Sequence, residues 1–204
     1  MKTRVRPISA LSTAALALAV LSSPAQAQVV DSGHFVDEFE GQVPDDVYLC
    51  QFTDDPADGG VLAVDSGRVR VNFMLNQRGS GSFPYYRETV HGTVVTTNIE
   101  TGGTFTQVFS NNFHDHVITD NGDGTITITV YAAGGTRFYD QNGKFVLKDP
   151  GAVRYAFDVD YNDTPGDPSD DTEVEDSFRI VRSSTGNSDF SDRNFCEDLL
   201  TFTS

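Results

Sequence analysis

The chain has 204 residues, with 30 Asp and Glu against 14 Lys and Arg, 22 aromatics and no Trp. A formal charge of −16 makes nucleic acid and anionic membrane surfaces poor partners, because like charge opposes approach. Neutral ligands, basic proteins and divalent cations stay open, and the length suits one domain with its own core.

Residues 1–27 read as a secretory signal. Lys2, Arg4 and Arg6 form a basic start, Ala10 to Leu21 is a short apolar run, and Ala25-Gln26-Ala27 offers small residues at a cleavage site. The run is too short and wrongly flanked for a membrane anchor, and Gln28 in place of Cys gives no lipid attachment point. The expected product is a soluble, secreted, monomeric protein of residues 28–204, one domain with no membrane insertion. The signal takes three of the basic residues and none of the acidic ones, so eleven cations against thirty anions leave −19.

His34 to Glu40 begins the folded part as a strand. A long loop, Gly41 to Gly60, carries Cys50. Val61 to Leu75 looks like a hairpin turned at Asp65-Ser66-Gly67, and Arg78 to Ser82 is a flexible break. An extended segment from Tyr85 to Ile99 turns at Glu100 to Gly103 and returns as Thr104 to Phe109 and Phe113 to Thr119.

The clearest local signal follows. Asn121-Gly122 and Asp123-Gly124 favour the positive φ of tight hairpins. Ile126, Ile128 and Val130 then alternate with Thr125, Thr127 and Thr129, a half-buried strand pattern. Gly134-Gly135 and Asn142-Gly143 read as further turns, and Asp149-Pro150-Gly151 launches a strand with Val153, Tyr155, Phe157, Val159 and Tyr161 on one face. An acidic loop, Asn162 to Asp171, precedes a last strand, Thr172 to Arg182. Asn194 or Ser191 can cap one helical turn before the end.

Short turns and alternating strands predict an all-β, up-and-down antiparallel β-barrel of about 8–10 strands with a short C-terminal helical turn. Closure is favoured because it removes exposed edges. A two-sheet β-sandwich is the alternative. Cys50 and Cys196, an isolated pair in an oxidising compartment, are expected to form a disulfide.

The run TDNGDGTITI, followed by DPGAVRYAFDVDY and DPSDDTEVED, resembles an uncharacterised group of secreted β proteins from actinobacteria. That resemblance implies a compartment and a one-domain β fold, and brings no catalytic residues across. A looser architectural likeness, carried by strand number, is to lipocalin-like and allene-oxide-cyclase-like barrels. The lipocalin GxW signature is absent.

Several constellations bear on function. His114 and His116 can share a strand face and chelate one metal, resembling half of a cupin motif. Val108 stands where that motif has Gly, however, and the remaining histidines, His34 and His91, lie far upstream. Asp120 to Gly124 resembles a calcium loop, but the ligand frame fails at Thr119 and Val130. Asp163, Asp167, Asp170 and Asp171 form a carboxylate-rich loop able to attract Ca²⁺ weakly; no other cofactor is indicated. Asp176 falls in phase with Val174, Phe178 and Ile180, and Asp37 lies between Phe35 and Phe39. A carboxylate facing an apolar interior is a candidate for catalysis, and a bulge turning it outward is the simpler alternative. No nucleophile elbow, phosphate loop, dinucleotide fingerprint or CxxC is present. The expected function is non-enzymatic binding of a small apolar or amphipathic ligand inside the barrel. An interaction or structural protein without a pocket, and an isomerase or hydrolase, are the alternatives.

Overall fold

A computed structural model describes residues 28–53, 55–77 and 83–204. The signal assigned to 1–27 and the break at Arg78 to Ser82 lie outside the described residues. Among the described residues nine strands and one α-helix follow in order, with a 3-10 turn at Pro56–Asp58: β1 (Gln28–Glu40), β2 (Tyr48–Gln51), β3 (Gly60–Gln77), β4 (Tyr85–Asn98), β5 (Thr104–Asp120), β6 (Thr125–Tyr139), β7 (Phe145–Asp160), β8 (Thr172–Glu173), β9 (Arg179–Thr185) and α1 (Phe195–Thr203). All described strand pairs are antiparallel neighbours. The path runs β1-β3-β4-β5-β6-β7-β8, with β2 also on β3 and β9 also on β7. The all-β meander with a C-terminal helix is therefore present.

The barrel does not close, and there is no second sheet to make a sandwich: the described strands form one nine-stranded sheet with two ends. Closure needs the end strands to pair along a matched length. On one side β1 is long, but on the other β8 pairs through only two residues and β9 follows with register shifts. Asp31, Asp37, Glu38 and Glu40, all exposed, put negative charge on the free β1 end, a device that discourages pairing with another chain.

Two expected turns are strand interior. Ser66 pairs with Glu40 on one side and Val95 on the other, and Gly67 continues between Phe39 and Val94. A Cβ on Gly67 would meet the Thr93 carbonyl oxygen at 2.6 Å. That glycine permits close strand approach instead of a reversal. Gly134 and Gly135 likewise lie inside β6, between β5 and β7. Asp149-Pro150-Gly151 sits within β7, where Pro150 is tolerated because pairing with β9 begins only at Ala152. The expected last strand is split between Glu173 and Arg179. The 120–125 hairpin is as read: Gly122 and Gly124 have φ of 77° and 94°, and Asn121 N–H donates to the Thr125 carbonyl at 3.0 Å.

One end of the inner face is filled. Asn194, not Ser191, caps α1: its Oδ1 accepts from the N–H groups of Cys196 and Glu197, and its Nδ2 donates to the Phe52 carbonyl. Cys50 and Cys196 form a disulfide with Cα atoms 5.4 Å apart. It holds the helix over Val61, Ala63, Phe105, Phe138 and Leu147. Phe105 and Leu199 are wholly buried, and the Phe105 ring lies 5.5 Å from Phe202 and 5.6 Å from Phe195. Each such side chain contributes about 1.5–3 kcal/mol. The helix plugs this end and leaves the other to the sheet alone.

Candidate functional site

At the unplugged end the sheet curls over a cavity of about 870 Å³. Val30 and Asp31 of β1 line it from one side, and the β7–β8 loop from Pro165 to Asp171 lines it from the other. The two ends of the sheet thus face one space without pairing. Alternation along the strands supplies the walls: Leu75, Phe113, Ile126, Ile128, Tyr155 and Phe157 all line it. At the mouth, the Phe83 and Tyr161 rings meet edge-on at 5.2 Å.

Three polar residues converge among these apolar walls: Tyr86 and Glu88 from β4 and Asp115 from β5. Their placement follows from a bulge. Pairing of β5 with β6 slips between Asp115 and Val117, so His116 is the extra residue. Pairing of β4 with β5 ends at Arg87 and His114. The Asp115 side chain replaces the missing ladder bond, Tyr86 N–H donating to its Oδ2 at 2.7 Å. Asp115 is only 7% exposed. The Tyr86 hydroxyl donates to Glu88 Oε2, two residues on and on the same face.

Burial pushes the Tyr86 phenol well above its ordinary range, helped by the hydrogen bond to Glu88 and the Glu88 and Asp115 charges. Burial also raises Tyr155, again with contributions from Asp115 and Glu88. Two carboxylates therefore act on two phenols inside one apolar chamber.

The residues singled out from sequence are placed elsewhere or differently. Asp176 is an exposed turn residue with φ of 57°; the strand phase that pointed it inward ends at Glu173. Asp37 is exposed on β1, opposite Val69. Neither approaches the other's strand pairings, so no catalytic pair forms from them. The bulge at His116 breaks the i, i+2 relation with His114, whose ring lies 5.2 Å from Tyr131. In the acidic loop, Asp170 accepts from Thr164 and Asp167 accepts from Ser169, while Asp167 and Asp171 reach the cavity mouth. Asp120 and Asp123 accept hydrogen bonds within their own turn. Among the described residues, no three His, Cys, Asp or Glu side chains gather to hold a metal ion.

Sequence reasoning missed Glu88 and Asp115. The signal for Glu88 was present: it is in phase with Tyr86 and Val90, while Arg87 and Thr89 take the other face. The opposite face has a depression of about 720 Å³ bordered by Arg68, Arg70, His91, Arg137 and Lys148. It has no comparable apolar enclosure, and the inner cavity is the better candidate.

Comparisons with protein-family models, curated proteins and solved structures return no match. The walls of the cavity can desolvate an apolar body of modest size, and its polar groups can fix one end of that body.

Proposed function

We propose that this protein is exported and, outside the cytoplasmic membrane, binds a small ligand with a large apolar part, without transforming it. The observation that carries the reading is the 870 Å³ cavity with aliphatic and aromatic walls and a few converging polar groups, the usual make-up of a ligand site. A pocketless interaction protein would fill that space with side chains. The disulfide supports the oxidising compartment, as does the signal-like pattern of residues 1–27. Among the described residues no helix is long and apolar enough to cross a membrane.

The test is displacement of a fluorescent fatty-chain probe from purified protein, with native mass spectrometry for a co-purifying compound. Ile128→Trp fills the cavity from β6 and is expected to abolish probe binding while leaving the circular dichroism of the sheet intact. Equal probe binding by this variant and the parent, or no binding by either, rejects the reading. Export predicts a mature N-terminus at Gln28, read by intact mass.

A further inference from the structure

We propose that the face of the sheet turned away from the inner cavity holds a tetrahedral dianion, phosphate or sulfate, free or as the end group of a larger ligand, between Arg154 of β7 and Arg182 of β9. The site is separate from the inner cavity and does not depend on it.

The first argument is the register that brings the two arginines together. β9 pairs with β7 through Ala152–Thr185, Arg154–Arg182, Tyr155–Ile180 and Ala156–Arg179, with a slip on each side of the Arg154–Arg182 pair. Continuing the Ala152–Thr185 register would set Ser183 opposite Arg154, and continuing the Tyr155–Ile180 register would set Val181 there. Two irregularities therefore put a second guanidinium where a serine or a valine would stand. Directly opposite residues in an antiparallel pair have Cβ atoms about 5 Å apart, and like charges there oppose folding. Both arginines line one small cavity beside Tyr131, while Tyr155 and Phe157, in the other phase of β7, line the inner one.

The second argument is an unmet donor. The Arg154 guanidinium carbon lies 5.7 Å from the centre of the Tyr131 ring, and its Nε–H is enclosed without an acceptor. Such a donor on a charged group is costly until an acceptor arrives. The ion pairs among the described residues engage Arg68, Arg179 and Arg193, and neither arginine of this pair. Asp158, in the same phase of β7 as Arg154, is taken by Arg179 at 3.1 Å. Residues 1–27 and 78–82 contain no Asp or Glu.

Size and charge decide the class. The cavity between the two arginines has a volume of about 80 Å³, room for one compact head group. Each guanidinium grips an oxyanion through two parallel donors. A carboxylate, with two oxygens and one charge, satisfies one such fork. Phosphate or sulfate has four oxygens, three when esterified, and a charge that matches the pair. With the Arg154 guanidinium turned into the cavity, Nε and one Nη hold the anion side-on, which gives the enclosed donor its acceptor.

Calorimetric titration of the full mature chain with sulfate, inorganic phosphate, phenyl phosphate and acetate, at an ionic strength held constant with chloride, tests the inference. Sulfate and phosphate are expected to bind with one equivalent and at least about tenfold more tightly than acetate. Arg182→Gln is expected to weaken both by about tenfold or more. Arg154→Lys keeps the charge but loses the fork, and is expected to weaken them as well. Arg70→Gln, on the same face but four strands away on β3, is expected to bind like the parent. In chloride buffer alone, Arg182→Gln is expected to melt no lower than the parent, because it removes the like-charge contact. Phenyl phosphate binding as tightly as phosphate assigns the site to an end group, and its exclusion assigns it to the free ion; either supports the site. Absence of saturable sulfate and phosphate binding, acetate binding as tightly as they do, unchanged affinity in Arg182→Gln, or a lower Tm of that variant in chloride overturns the inference and leaves the cavity reading standing.

Discussion

Removing the disulfide is expected to lower stability by an amount set by the length of chain it closes. Cys50 and Cys196 are 146 residues apart in sequence. In the chain-entropy description a 100-residue loop is worth about 4.7 kcal/mol, and the logarithmic dependence takes this one to about 5 kcal/mol. Domains have only about 5–15 kcal/mol in total, so the effect should dominate an unfolding curve. The folded state itself should survive. Leu199 remains wholly buried, Asn98 Nδ2 still donates to Thr203 Oγ1 at 3.1 Å, and Thr101 Oγ1 still donates to the Thr203 carbonyl at 2.7 Å. The assay is guanidinium unfolding of the parent, the dithiothreitol-reduced protein and the Cys50→Ala/Cys196→Ala double variant, followed by circular dichroism. A loss below about 1 kcal/mol in both altered forms would refute the entropic reasoning. Loss of the folded baseline without denaturant would refute the claim that noncovalent packing holds α1.

Two further predictions follow from local geometry. Gly134→Ala places a methyl about 2.7 Å from the Asn111 Cα, backbone that cannot step aside, and should destabilise by about 1–3 kcal/mol in the same unfolding assay. Burial, then the charges of Asp170, Asp167 and Asp160, raises the Asp171 carboxyl above its usual range. A raised carboxyl favours folding below its unfolded value of about 3.9, and that contribution is lost as pH rises through the higher folded value. Asp171→Asn should therefore raise Tm at neutral pH, by an amount worth less than about 0.5 kcal/mol, with the gain vanishing toward pH 3; a neutral-pH decrease contradicts the assignment.

What could be read from sequence was what local chemistry decides. In the 120–131 stretch the turn residues and the Ile–Thr alternation agree, and a single hairpin results. At Gly67 and Gly134 the same residue type carries no such message. Those glycines answer to Thr93, Ser110 and Asn111 on neighbouring strands, and nothing within a few residues reveals it. Closure was illegible for a related reason. It depends on how well β1 could match β8 and β9, a property of two edges far apart in sequence. The expected C-terminal turn is a full helix because Leu199, Phe195 and Phe202 find Phe105, a partner some ninety positions upstream.

The same distinction explains the site. An in-phase carboxylate between apolar neighbours was the right clue, and it pointed to Asp37 and Asp176 because their flanking phenylalanines are conspicuous. Glu88 obeys the rule with Tyr86 and Val90, and its phase survives because β4 is regular along its pairing with β3. Asp176 loses its phase at a turn. Asp115 became central through the bulge at its neighbour, which no periodicity announces. Burying carboxylates in an apolar chamber opposes folding unless something compensates them, and the phenols of Tyr86 and Tyr155 in the same chamber have their own ionisation suppressed by burial and by those charges. An apolar filling of the same space would hold the sheet together better. The covalent link at the plugged end lets the open end tolerate that cost.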